Sequence, residues 1–337
     1  MNFLFQKLAD LVVNHPRFIA ASFTALIIAA LFGMSFVTMA TGTDTYLDKD
    51  TKRGMLLDDY TSTFQSDSIM VLIESDDVLN PGILAYIDEL ENEIRKEQNV
   101  NSVSGIPDLL KSANGGVLPA SSADISKAEQ GIPREVLSRF VPSNTITFAV
   151  AVLKPGLTQE QQSAVVNSMQ ARIGISERPP GVSVVLTGNP AFQQQMLTEM
   201  GTSMSMLILA AMVLMVIAVG VLFGHVRFRL LSVFIVAVGL ILTFGIIGFS
   251  GMQIDMATIG AFPVLIGIGI DYAIQFHSRF DEEVRKGTVA DAVTNTITLA
   301  GPSVLYAMLA TAMGFLAMYI SPLPMIRSFG MVCVIGV

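Results

Sequence analysis

The sequence predicts an α-helical multi-pass membrane bundle of six spans, with an α+β domain inserted between spans one and two. Three observations predict it. Of the 337 residues, 52% are hydrophobic and only 14% charged, with a mean hydropathy of +0.59. A water-soluble domain carries roughly a quarter charged residues. The apolar residues gather into runs near the roughly 20 residues that a helix needs to cross a bilayer. Between the first and second runs, residues 40–200 are polar and twice repeat a strand–helix–strand pattern.

The chain begins with a segment, residues 1–17, whose apolar positions Phe3, Leu4, Leu8, Leu11 and Val12 form one helical stripe. Such a stripe is expected to lie on the membrane surface. The first span covers residues 18–39. Its apolar run of about 22 residues exceeds the 7–15 residues of a signal-peptide core, so it reads as an uncleaved anchor. Further spans follow at 204–223, 230–249, 256–276 and 303–320. A sixth occupies 325–337, and its 13 residues are short for a crossing, so the chain is expected to end inside a helix of a longer protein. A polar connection, 278–300, reads as an interfacial helix.

Basic residues set the expected orientation. Lys7 and Arg17 precede the first span, Arg227 and Arg229 join the second to the third, and Arg279, Arg285 and Lys286 follow the fourth. All fall on one side when the amino terminus is cytoplasmic. Residues 40–200 are then extracytoplasmic, and the expected location is the plasma (inner) membrane. Arg327 is the one discordant charge.

In the inserted domain, Ile69–Ile73 is a strand run, and Asn80–Pro81 starts a helix whose face is Ile83, Ile87, Leu90 and Ile94. Val100–Val103 closes the first unit, 67–104. The second unit, 144–188, has an alternating strand through Ile146, Phe148, Val150 and Val152. A Thr158/Gln161 capping box opens its helix, and Val182–Leu186 is its last strand. Strand–helix–strand twice is the pattern of a ferredoxin-like sandwich. Residues 105–142, rich in Gly, Ser and Pro, read as an irregular insertion with two short helices near Ile125 and Val136. After Leu186, Gly188–Asn189–Pro190 opens a helix that runs on into the second span.

Residues 40–200 hold 21 acidic and 12 basic side chains, which more than accounts for the chain's net charge of −8. That acidity argues against nucleic acid as a partner, since phosphate binding needs a basic face. The single cysteine, Cys333, allows no intramolecular disulfide and no cysteine metal cluster. His15, His225 and His277 flank apolar runs without ligand spacing. No metal site, cofactor or catalytic residue is assigned, and the chain reads as a non-enzyme.

The residue that points to function is Asp271, within the uncharged stretch Met256–Phe276. An ionisable side chain at membrane depth is expensive and marks an ion or proton path. At 1.5 Å per residue it lies roughly 12 Å from Arg279, near the middle of a core about 30 Å thick. Gly260, Val264, Gly267 and Asp271 share one helical face. Gly269 lies nearby, and small residues of this kind let a neighbouring helix come close. Tyr272 and Gln275 are neighbouring polar groups, and Pro263 is expected to kink the helix. Asp255 belongs to the turn before it and reads as a helix-start residue.

In this order, these residues resemble the resistance–nodulation–division (RND) superfamily of secondary transporters. The resemblance is nearest to the hydrophobe/amphiphile exporters and the mycobacterial membrane protein large (MMPL)-like branch. The residues that carry it are Gly267–Ile268–Gly269–Ile270–Asp271–Tyr272, then Phe276–His277–Ser278–Arg279–Phe280–Asp281–Glu282–Glu283, and Gly42–Thr43–Asp44 after the first span. The layout of one span, a porter domain and five spans matches as well. The resemblance implies that residues 40–200 are a porter domain and that Asp271 and Tyr272 belong to a proton relay. It implies export of hydrophobic or amphiphilic small molecules, with H+ or Na+ as coupling ion and membrane lipids as surroundings. It also implies that this chain is the N-terminal half, paired with a second half or another subunit. An accessory to the protein-secretion channel and a lipid-sensing receptor without transport remain open alternatives. An intramembrane aspartyl protease is disfavoured, because no second Asp lies in another span.

Overall fold

The structure, a computed structural model, describes residues 2–42, 45–48, 50–64, 67–222 and 230–337. It is mostly helical and divides into two compact units, Met1–Thr51 with Leu197–Val337, and Lys52–Met196. His225, Arg227 and Arg229, like Thr43 and Asp44, lie outside the described residues.

The chain opens with α1 (Asn2–Asn14), α2 (Pro16–Met34) and β1 (Thr38–Met39). The first apolar helix therefore ends five residues before the expected boundary at Met39. The reason is local: Thr38 and Met39 pair in parallel with Gln253 and Ile254, and Ala40 N–H donates to the Ile254 carbonyl at 2.9 Å. On α1, Ala9 is fully buried, while Phe3, Leu4 and Leu8 of the expected stripe remain outward and exposed.

The second unit starts with α3 (Lys52–Phe64), which the sequence reading did not anticipate. There follow β2 (Ser68–Glu74), α4 (Pro81–Arg95), β3 (Val100–Ser104), α5 (Ile106–Ala113), α6 (Ser122–Gln130), α7 (Arg134–Phe140), β4 (Ile146–Leu153), α8 (Gln159–Ile175) and β5 (Ser183–Thr187). The four strands form one antiparallel sheet in the order β3–β4–β2–β5. Alternation decides which side of the sheet is covered. Ile69, Val71 and Ile73 of β2 are fully buried against Ile87, Leu90 and Ile94 of α4 and Val166, Met169 and Ile173 of α8. Both helices are capped by their own sequence. The Asn80 side chain accepts from Gly82 N–H at 2.9 Å, with Pro81 at the first helical position, and Thr158 with Gln161 forms a capping box. Gly188 (φ 99°) ends β5; a Cβ there would lie 2.6 Å from the Ser68 carbonyl oxygen.

The stretch 105–142 contains the two short helices expected near Ile125 and Val136, α6 and α7, and a third, α5, that was not expected. They share a small core of Ile106, Leu110, Ile125 and Ala128 that closes on Leu84 of α4. Their polar composition hid the few apolar positions that do the packing.

From Asn189, α9 runs unbroken to Leu222. The first unit continues with α10 (Leu230–Ser250), β6 (Gln253–Ile254), α11 (Met256–Ile259), α12 (Ala261–Val284), α13 (Val289–Asn295), a π-helical turn (Thr296–Ala300), α14 (Gly301–Leu316), a 3-10 turn (Ala317–Ile320) and α15 (Pro324–Gly336). Five stretches are long and apolar enough to cross a membrane: Pro16–Met34, Asn189–Val221, Leu230–Ser250, Met256–Val284 and Val289–Ile320. The helix α15 is shorter.

A separate interfacial helix over 278–300 is not what forms. Residues 278–284 extend α12, held by Arg279–Glu282 and Arg285–Asp281 pairs at helical spacing. The chain then resets at Gly287, where Thr288 caps α13, which leads through the π turn straight into α14.

The closest helix contact in this unit joins α2 to α10. A Cβ on Gly33 would stand 2.5 Å from the Gly245 carbonyl oxygen, and one on Gly248 would fall on the Gly33 carbonyl. Small residues thus bring these two backbones together. Between α10 and α12 the core is built mainly of apolar side chains, with the Phe244 and Phe262 rings stacked at 4.3 Å.

Candidate functional site

The site is built on α11 and α12. Asp255 precedes α11, is 4% exposed, and its carboxylate accepts from Thr258 N–H at 2.9 Å while the Thr258 hydroxyl answers its own backbone N–H at 2.8 Å. It is a buried helix cap, and burial pushes its carboxyl above the ordinary range against the pull of those bonds and of the Ser328 hydroxyl.

The helical path breaks at Gly260, between α11 and α12. Pro263, the expected kink, sits in the first turn of α12, where it has no N–H to donate to the Ile259 carbonyl. The interruption therefore falls about one turn ahead of the proline.

Beyond the break, α12 has two unlike faces. Ala261, Phe262, Leu265, Ile266, Ala273 and Ile274 are buried in the core. Gly260, Val264, Gly267, Asp271 and Gln275 form an exposed stripe at spacings of three and four. A Cβ on Gly267 would meet nothing within 4 Å, and one on Gly260 would meet only the Ala257 carbonyl and, at 4.0 Å, Phe329. The close helix approach expected at Gly260 and Gly267 is not made among the described residues. Gly269 does pack, with Val236 of α10 at 3.4 Å from its would-be Cβ. Asp271 has neither a hydrogen-bond nor an ion-pair partner among the described residues.

Tyr272 follows Asp271 in sequence but points elsewhere, because successive helical residues diverge by about 100°. Its hydroxyl meets Thr311 Oγ1 of α14 at 3.1 Å. The Thr311 hydroxyl donates to the Ala307 carbonyl at 2.9 Å, so Tyr272 is the donor of the pair. The ring lines an apolar cavity of about 420 Å³ with Val236, Gly239, Leu265, Phe276 and Val304. The structure thus separates the two expected relay residues, with Asp271 on an open face and Tyr272 turned between helices.

The far end of α12 is fixed by a group that sequence reasoning left unused. Glu283, 6% exposed, accepts from Lys286 Nζ at 2.9 Å and Asn295 Nδ2 at 3.0 Å, and forms an ion pair with Arg279 Nη2 at 3.0 Å. The Arg279-to-Glu283 spacing of four was visible in the sequence; Asn295 and Thr311 had no signal, since their partners lie on other helices.

A bundle of long apolar helices, one carrying a carboxylate unpaired among the described residues, with an α+β domain inserted after the first, defines a membrane-embedded protein of the resistance–nodulation–division type. The chain belongs to the MMPL family, whose model matches residues 41–337. It is 30% identical over 263 residues to the putative membrane protein MJ1562 of Methanocaldococcus jannaschii, covering 77% of this chain and 68% of that one. It is 20% identical over 224 residues to the cation efflux system protein CusA of Escherichia coli, and 20% identical over 261 residues to the putative cation efflux system protein SilA of Salmonella typhimurium. These matches cover 63% and 73% of this chain but only 21% and 24% of the relatives. Among solved structures, the hedgehog release protein Disp from the water bear Hypsibius dujardini shares the fold, with a TM-score of 0.67 at 9% identity. That match covers all of this chain and 47% of Disp, so the chain spans about half the length of that relative.

Proposed function

We propose that this chain is one half of a proton-driven secondary transporter that exports hydrophobic or amphiphilic molecules, with Asp271 as the group that carries the proton. The observation that carries this reading is the exposed, glycine-lined stripe bearing an unpartnered carboxylate on a helix otherwise long and apolar enough to span a bilayer. A charge facing lipid at that depth costs roughly 2.5–3.5 kcal/mol or more. The stripe therefore calls for a cover, and a second half or another subunit, with a helix fitting the glycine-lined groove, supplies it. Membership of a family with efflux relatives supports transport as the activity.

In this reading α15 begins a sixth span. The sheet order β3–β4–β2–β5 with α4 and α8 on one face is a ferredoxin-like porter domain. The basic residues after α12 support a cytoplasmic location for that end, with the inserted domain outside, across the plasma (inner) membrane. The apolar cavity beside Tyr272 favours lipidic or amphiphilic cargo.

The test is transport by the full-length parent in proteoliposomes under an imposed pH gradient. Asp271→Asn is expected to abolish proton-coupled export while leaving folding intact, since Asp271 is exposed and makes no hydrogen bond or ion pair among the described residues. Wild-type rates in that variant would overturn the relay role. Rates that follow a sodium gradient instead of a pH gradient would change the coupling ion.

A further inference from the structure

The second unit holds a carboxyl group for which the transport reading has no use. Glu91, on α4, is 1% exposed, and both of its oxygens lack a hydrogen-bond partner among the described residues. It lies against Gly105, the residue before α5: a Cβ on Gly105 would fall on Oε1 of Glu91 and stand 3.3 Å from Ala149 of β4. Only a glycine leaves room for the carboxyl there.

The neighbours of Glu91 are arranged in a ladder. Asp88 and Arg95, three before and four after it, share its face of α4. Each reaches to α5. Lys111 Nζ donates to Asp88 at 2.5 Å, and Arg95 Nη2 donates to Asp108 at 3.0 Å and to the Val103 carbonyl at 3.0 Å. Two ion pairs thus tie α5 to α4, and the rung between them is a carboxyl group that takes part in no ion pair among the described residues. Asp88 and Arg95 of α4, with Asp108 and Lys111 of α5, are the charged groups around it. The strands β3 and β4 carry no ionisable side chain. The insertion that α5 begins is held to α4 by the small core around Ile106, Leu110 and Leu84.

A buried carboxylate without a partner is far more costly than the neutral acid. Loss of water is the main reason that the Glu91 carboxyl is pushed up to about 8. The charges of Asp108 and Asp88 add to the effect, and Arg95 and Lys111 oppose it.

We propose that Glu91 is a proton-operated latch, holding the α5–α7 insertion on α4 while it is neutral and releasing that insertion when it ionises. The latch is independent of whether the protein transports anything. Its sign is fixed by the burial: the closed form binds the proton more tightly than the open form, so rising pH opens it.

The experiment is hydrogen–deuterium exchange on the full chain in detergent micelles from pH 6 to 9, with protection corrected for intrinsic exchange. Amides of 106–140 are expected to lose protection by about tenfold per pH unit below 8, flattening above. Amides of β2 and β4 are expected to keep theirs. Glu91→Gln is expected to abolish the slope, and Glu91→Met, of similar volume and unable to ionise, to do the same. A wild-type profile that is flat for 106–140, or a slope that survives in either variant, overturns the latch. If neither variant folds, the wild-type profile decides alone.

Discussion

Arg327 donates to Asp48 at 2.8 Å, joining the start of α15 to the segment that follows α2, 279 residues earlier in the chain. The guanidinium also donates through Nε to the Ser321 carbonyl at 2.6 Å. Arg327 is the one charge that fell on the wrong side in the orientation reading. Its position is explained by its partner, an aspartate delivered to the same end of the helices.

This pair makes the first prediction. Asp48 is held below the ordinary carboxylate range, first by the Asp50 backbone N–H and then by Arg327. A lowered value means that the stabilisation is present above the unfolded value and is lost as pH falls through the folded one. Arg327→Gln is therefore expected to lower the melting temperature slightly at pH 7. Thermal melts should show the gap to wild type closing below about pH 4. A gap that persists in acid would assign the effect to the Ser321 bond.

The second concerns the α2–α10 contact. Gly248→Ala places a methyl group on the Gly33 backbone, with no side chain to move aside. The expected loss is about 1–3 kcal/mol, the range of overpacked sites. Gly239→Ala, on the same helix α10 with nothing within 4 Å of its Cβ, is the matched control and is expected to be near neutral. Unfolding in denaturant in mixed micelles measures both.

The third separates hydrogen bonding from proton transfer at Tyr272. Its hydroxyl is engaged with Thr311, so Tyr272→Phe and Thr311→Val are expected to remove one and the same interaction. A double-mutant cycle on stability should give a coupling of about 0.5–1.5 kcal/mol. Additive effects would mean that the two hydroxyls do not meet.

The fourth concerns Asp255. As a cap it is expected to be replaceable by Asn, which offers the same acceptor, whereas Asp255→Ala is expected to cost about 1 kcal/mol. Because burial raises the Asp255 carboxyl, ionising it is unfavourable in the fold. The stability of Asp255→Asn relative to wild type is expected to rise as pH rises from 4 to 7, read from melts across that range. A relative stability that falls with pH would show that the carboxylate is bound more strongly than the caps described here allow.

Much of the architecture was legible because it rests on period and length. The alternation through Ile146, Phe148, Val150 and Val152 does form a strand, but these four are only half-buried and the intervening Thr147, Ala149, Ala151 and Leu153 face the core; Thr158 with Gln161 caps the helix as the spacing required. The position of Asp271 on a face with Gly260 and Gly267 follows from helical geometry alone. What could not be read was what each face meets. Glycines at Gly260 and Gly267 suggested close packing, yet the glycines that bring the α2 and α10 backbones together are Gly33, Gly245 and Gly248, which no local pattern distinguishes. In the insertion, α6 and α7 fall where short helices were expected, but α5 and the shared core were missed because that core draws on Leu84, outside the insertion.

From sequence by itself came the apolar spans, the paired strand–helix–strand units and a lone acid on an apolar helix. Each follows from local terms: hydropathy, side-chain period and capping chemistry. The tertiary structure alone decided that Asp271 stands uncovered on the surface of its unit, that Tyr272 turns away to Thr311, that Arg327 finds Asp48, and that Glu91 is sealed against Gly105 without a partner. These are contacts between residues far apart in the chain, set by which helix faces meet. Nothing in the local order of residues encodes that meeting.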